Sequence, residues 1–256
     1  MTTQVTLTTE GSLARICFAA DNGIPLLTRN VRTQLDGVLD ELERRPEISV
    51  VVLESEGRVF IAGADIKELI ALTPENAADN SREGQAMMSR IEHLRATTLI
   101  AVHAACAGGG CELALACDMR MAAESVVIGL PETRIGIVPG WGGTVRATRI
   151  LGSATARRMI LTGELLPAAR ALQLGLVDEV VPDAAFRTAV ETRIATLLAR
   201  GPFARAQAKT LIRQFEGPDS AAQFEAEALA FAECYRTGEP QAGMQAFLEK
   251  RDAEWT

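Results

Sequence analysis

The chain has 256 residues, 48% hydrophobic and 23% charged, with a formal net charge of −7 at pH 7. That length buries a sizeable core, as one large domain or one domain with an appendage. The acidic balance supplies no global basic field for nucleic acid or an anionic membrane surface, and no apolar run reaches membrane-spanning length.

Leu13 to Phe18 reads as a strand, and Val31, Leu35, Val38, Leu39 and Leu42 then recur on one helical face. Val50 to Leu53 is a short buried strand, with Val59-Phe60-Ile61 expected as another after a Glu56-Gly57 turn. Met87, Met88, Ile91 and Leu94 mark a second helix. Leu99 to Val102 is a strand expected to run straight into Ala107-Gly108-Gly109-Gly110-Cys111-Glu112. The helix beginning near Gly110 carries Leu113, Ala114, Leu115 and Ala116 on nearly all sides, which predicts burial. Val126 to Ile128 forms a further strand leading into Leu130-Pro131-Glu132. Repeated β-then-α units of this kind favour a largely parallel α/β architecture.

After about Ser153 helices dominate. Ser153 N-caps and Gly163 closes one, and Pro167 and Gly175 bracket the next. Asp183 opens a third, with Phe186, Val190, Ile194 and Leu197 on one face and Gly201-Pro202 as its stop. Two or three more fill the remainder, where Phe224, Phe231 and Tyr235 make a candidate subunit contact. The division expected is a core over 1–195 and a helical region over 196–256.

Cys17, Cys106, Cys111, Cys117 and Cys234 form no disulfide framework and read as small core residues of a reducing compartment, so a cytoplasmic location is expected. Cys106, Cys111 and His103 match no zinc spacing, and no metal site is expected. His103 is expected to satisfy local backbone groups and His93 to be exposed on its helix. Ser89 and His93, as an i, i+4 pair, do not compose a hydrolytic triad.

The chemistry lies in two glycine-rich turns, each with one glutamate. Glu112 alone would complement a helix macrodipole, and Glu132 alone would be a solvated loop residue. A carboxylate in a buried helix nevertheless needs a reason. Together they point to proton transfer, with main-chain N–H groups holding developing negative charge. No Gly-Lys-Ser/Thr follows the glycines and a dinucleotide fingerprint lacks its spacing, which leaves an oxyanion hole. A second donor is available in Phe60-Ile61-Ala62-Gly63-Ala64-Asp65-Ile66-Lys67-Glu68-Leu69.

That segment, the Gly108 to Glu112 turn, and Pro131-Glu132 through Pro139-Gly140-Trp141-Gly142-Gly143-Thr144 resemble the crotonase superfamily, the enoyl-CoA hydratase/isomerase family. The likeness covers nearly the whole chain, to Ala246-Phe247-Leu248-Glu249-Lys250-Arg251. It implies an α/β fold built as a spiral of repeated ββα units, with a C-terminal helical region that forms homotrimers or homohexamers. It implies an acyl-CoA thioester as partner, neither nucleic acid nor membrane, and no cofactor beyond the coenzyme A of the substrate. The backbone N–H groups of Ala64 and Gly109 would hold the thioester oxygen. Glu112 would help deprotonate a water attacking C3, Glu132 would deliver a proton to C2, and Gly140 would support the water site. Ala62, Asp65 and Ile66 would border the adenine, and Lys250 would approach the 3′-phosphate.

The activity so implied is enoyl-CoA hydration in fatty acid metabolism. The alternatives are an enoyl-CoA isomerase, which needs Glu132 alone, and a non-catalytic acyl-CoA-binding protein. Three departures accompany the likeness: Gly23-Ile24-Pro25-Leu26-Leu27 where an Asn-Ala-Leu segment is usual, His103-Ala104 where Asn-Gly is usual, and Trp141 where relatives carry a small residue. Pro25 removes a donor there, and Trp141 reads as wall packing, with shortening or shaping of the acyl pocket as the alternative.

Overall fold

In the computed structural model, which describes residues 2–214 and 221–251, a hairpin opens the chain: Thr3–Glu10 (β1) pairs antiparallel with Leu13–Ala20 (β2). Val50–Glu56 (β3), Thr97–Val102 (β4), Met119–Ala123 (β6) and Glu179–Val181 (β9) add in parallel, in the order β1-β2-β3-β4-β6-β9. A smaller sheet sets Cys106–Ala107 (β5) parallel to Val127–Gly129 (β7), with Leu165–Pro167 (β8) antiparallel beyond it.

The helices are Arg29–Glu43 (α1), Ile66–Ile70 (α2), Pro74–His93 (α3), Gly109–Ala116 (α4), Gly143–Thr162 (α5), Ala168–Leu174 (α6), Phe186–Leu198 (α7), Pro202–Gln214 (α8), Ala221–Thr237 (α9) and Glu239–Leu248 (α10). Thr28 caps α1 by accepting from Val31 N, and Asn76 reaches back to Thr73 N at the start of α3, where Pro74 occupies the first turn.

The continuous apolar run of β3 follows from covering both sheet faces. Val51 and Leu53 enter the main core with Leu35, Leu39, Met88 and Ile91, while Val50 and Val52 alternate onto the other face with Val190 and Ile194 of α7. The small residues predicted to bury α4 on all sides do so from Gly109 to Ala116.

Several expectations are corrected. Val59-Phe60-Ile61 is not a strand: Arg58 N donates to Gly23 O and Phe60 N to Ala105 O, so its groups are spent on loops, and only Ile61 bridges Cys106. β4 does not run directly into the glycines, because β5 intervenes and carries the chain into the second sheet. The helix expected from Ser153 to Gly163 is present: α5 is two helices joined at a non-helical Gly152 (φ 75°, ψ 155°), and Gly163 closes the second in the left-handed conformation. Phe231 and Tyr235 are buried within the chain against Leu69, Leu72 and Ala77, and Tyr235 donates its hydroxyl to Leu69 O at 3.0 Å, so neither awaits a subunit. The Phe224 side chain lies outside the described residues. Among those residues, no helix is long and apolar enough to cross a membrane.

Candidate active site

Three chain segments meet at the start of α4. Gly108 sits at φ 57°, ψ −126°, a conformation that favours glycine, and turns β5 into the helix. A Cβ there would lie 3.2 Å from Glu132 Oε1, so the second carboxylate rests directly against the turn. Glu132 opens a short 3₁₀ turn, Glu132–Ile135, and is 8% exposed rather than solvated.

Glu112 lies in the first turn of α4 and is 2% exposed. Its Oε1 accepts the backbone N–H of Trp141 at 2.7 Å and that of Gly143 at 2.9 Å. The second glycine segment therefore orients the first glutamate. Both carboxylates also raise the buried Cys111 thiol, after burial itself and Cys106, which places them at the same end of α4.

The Ala62-Gly63-Ala64 loop is brought against this turn. Ala62 N donates to Pro25 O at 3.0 Å and Leu27 N to Gly63 O at 2.9 Å, so Pro25, which lacks a donor, serves as an acceptor. A Cβ on Gly63 would lie 3.2 Å from Ala107 O and 3.5 Å from Gly109 N. Among the described residues, neither Ala64 N nor Gly109 N donates a backbone hydrogen bond. Two free N–H groups on adjacent loops, near two buried carboxylates, can polarise a carbonyl oxygen while protons move.

The remaining predicted residues are distributed. Gly140 is buried, and its carbonyl accepts the Ser81 hydroxyl and, at 3.2 Å, the Gln85 amide. Asp65 N-caps α2 by accepting from Lys67 N at 2.9 Å, a structural use of the carboxylate. Ile66 packs against the cluster around Leu69 and Phe231, while Ala62 is exposed. Lys250 is exposed beyond the end of α10 with φ 55°. His103 Nε2 bonds Gly57 O at 2.9 Å, the backbone role expected of it, and His93 is exposed.

Trp141 belongs to the main core, 4% exposed, and its ring is held on three sides. Cβ atoms built on Gly84 and Gly109 would meet the ring at 2.1 and 2.6 Å, and the Arg32 guanidinium lies 5.2 Å from its centroid. Sequence reasoning missed Arg32, Ser81, Gln85 and Arg146, whose Nη1 donates to Trp141 O at 3.0 Å. Each is polar and buried on a helix, a signal visible only as a polar residue on an otherwise apolar face.

The chain matches the family model described as enoyl-CoA hydratase/isomerase over residues 8–256. It is 32% identical to a short-chain-enoyl-CoA hydratase of Clostridium acetobutylicum, covering 98% of this chain and 96% of that one. It is 30% identical to a crotonyl-CoA hydratase of Syntrophomonas wolfei, covering 98% and 97%. A solved enoyl-CoA hydratase from Mycobacterium avium subsp. paratuberculosis superposes with a TM-score of 0.89 at 27% identity, covering 98% of each chain.

Proposed function

The chain belongs to the enoyl-CoA hydratase/isomerase family and has the crotonase-type α/β fold, and on that footing we propose that it is an enoyl-CoA hydratase. The reaction is addition of water across the C2=C3 bond of a 2-trans-enoyl-CoA to give a 3-hydroxyacyl-CoA. The observation that carries this reading is the pair Glu112 and Glu132, both buried at one glycine turn. An isomerase needs one base; two carboxylates suit a water that gives one proton away while another is delivered to carbon.

In this reading the Ala64 and Gly109 N–H groups hold the thioester oxygen as charge develops on it. Glu112, fixed by Trp141 N and Gly143 N, takes a proton from the water whose oxygen bonds to C3. Glu132 gives its proton to C2, and exchange after product release restores both carboxyls. Gly140, its carbonyl occupied by Ser81 and Gln85, has its N–H left to support the water. CoA arrives as part of the substrate, bordered by Ala62, Asp65 and Ile66 and approached by Lys250.

Assembly as a homotrimer or homohexamer belongs to the same proposal, supported by exposed Phe203 and Phe247 on the C-terminal helices. A cytoplasmic location is supported by five free cysteines. The deciding experiment follows loss of the conjugated thioester absorbance on crotonyl-CoA and longer enoyl-CoA esters. Turnover is expected. An enzyme that binds these esters calorimetrically yet hydrates none of them overturns the proposal.

A further inference from the structure

α4 presents Glu112 in its first turn and ends, at Leu115, Ala116 and Cys117, in the wall of a cavity of about 360 Å³. Among the described residues this cavity carries Arg120, Arg146, Arg149, Arg205, Lys209 and Arg213 but two carboxylates, Glu92 and Asp118. The formal surplus is four positive charges, in a chain whose net charge is −7.

Part of that charge serves the fold. Arg213 donates to Glu92 O near the end of α3, and Arg120 to Cys117 O at the end of α4. Arg146 and Arg149 share Glu92 at 2.7 and 3.1 Å, Lys209 pairs with Asp118 at 2.7 Å, and Arg120 reaches Asp178 at 3.0 Å. The account does not close, however. Arg205 bonds neutral acceptors, Ser49 O at 3.0 Å and Thr97 Oγ1 at 2.6 Å. The Nε atoms of Arg120 and Arg205 are both buried and meet no acceptor among the described residues, and Arg120 is only 7% exposed. Burial also pulls the Arg205 guanidinium below its ordinary value, the mark of a cation desolvated without an opposing charge.

We propose that this cavity is a binding site for a small organic polyanion bearing phosphate or carboxylate groups. Guanidinium forks match both oxyanions, and the apolar wall from Leu115, Ile150 and Ile212 receives a carbon skeleton. The site is connected to the catalytic pair: Arg146 lines it and donates to Trp141 O at 3.0 Å, and Trp141 N holds Glu112 at 2.7 Å. Occupancy thereby acts on Glu112 through a single intervening residue.

The test is calorimetric titration with pyrophosphate and, separately, citrate, on protein saturated with butanoyl-CoA so that the thioester site is already filled. Saturable binding is expected, and the tighter probe tells phosphate from carboxylate recognition. Arg213→Gln should weaken it at least ten-fold. Ala208→Trp should do the same by plugging the exposed mouth while every charge stays in place, so its effect cannot come from a disrupted ion network. No saturable binding of either probe, or an affinity unchanged by either variant, overturns the proposal. So does failure of a maleimide to label Ala208→Cys in the native assembly, which would mean that a second copy covers the mouth.

Discussion

Trp141 donates its backbone N–H to Glu112 Oε1 across 2.7 Å while its indole lies against Gly109, the residue that starts the helix bearing Glu112. Main chain and side chain of one residue thus do separable jobs, and Trp141→Ala separates them by keeping the N–H and removing the ring. The variant should lose about 3–5 kcal/mol of stability, as large buried truncations do. Hydration of crotonyl-CoA should persist, and kcat/KM for longer enoyl chains should rise about ten-fold relative to it, since one methylene in a pocket is worth roughly 1–3 kcal/mol. Denaturant unfolding and a chain-length series measure both. An unchanged ratio removes the indole from the acyl wall.

Gly109→Ala probes the same contact from the helix. Alanine is the better helix former by about 1 kcal/mol, but its Cβ would lie 2.6 Å from the Trp141 ring, which Gly84 blocks from behind. Overpacking of this kind costs about 1–3 kcal/mol, so the clash wins. Displacing the Gly109 N–H should lower kcat by about 10²- to 10³-fold, the cost of losing one oxyanion donor. In the Gly109→Ala, Trp141→Ala double variant the stability losses should be less than additive, by roughly 0.5–3 kcal/mol. Strict additivity would show that the two residues do not press on each other.

Glu112→Gln and Glu132→Gln each remove one of the two carboxyls proposed to transfer protons and change little volume. Each should lower kcat for hydration by about 10²- to 10⁴-fold with a much smaller change in KM. Glu112→Gln discriminates further when assayed on a 3-enoyl-CoA. Isomerisation kept while hydration is lost would mean that Glu132 alone moves protons between carbons. Hydration kept at the wild-type rate would dismiss the pair as the source of chemistry.

The parallel sheet, the buried α4 and the glycine turns were legible because each rests on a local pattern: apolar runs, small residues on all sides, a run of Gly. β1 was missed because its largely exposed residues, half of them threonines, carry no apolar run. β8 and β9 span three residues each, too short for any period to show. At the site, Glu112 and Glu132 were legible beside their glycines. That Trp141 and Gly143 N–H groups would orient Glu112, or that Pro25 and Leu27 would hold the Ala62-Gly63 loop, depends on long-range backbone contacts that side-chain identity does not encode.

The cysteines give a chemical test of the core. Burial pushes Cys106 and Cys111 well up and Cys117 to about 12, so the thiolate fraction at pH 8 is negligible. Iodoacetamide at that pH should leave all three unmodified in the native protein and label them after denaturation, as read by peptide mass spectrometry. Rapid native labelling of Cys111 would contradict its burial beside Glu112 and Glu132.

Glu92 should set part of the acid limit of stability. Burial would raise its carboxyl, but Arg146, Arg149 and Arg213 override that and hold it below its ordinary value. A carboxyl depressed in the folded state contributes stability that is present above the unfolded value, about 4.3, and is lost as pH falls through the lower folded value. Glu92→Gln should therefore cost about 3–5 kcal/mol at pH 7, because it strips a carboxylate from the buried Arg146, which is 1% exposed. The gap to wild type should narrow as pH falls below about 4.3, where Glu92 of the unfolded chain takes up a proton while the folded carboxyl still resists it, and should close once pH passes the lower folded value. Urea unfolding from pH 7 down to pH 3 measures both. A gap that stays constant across that range would show that the Glu92 charge contributes nothing beyond its shape.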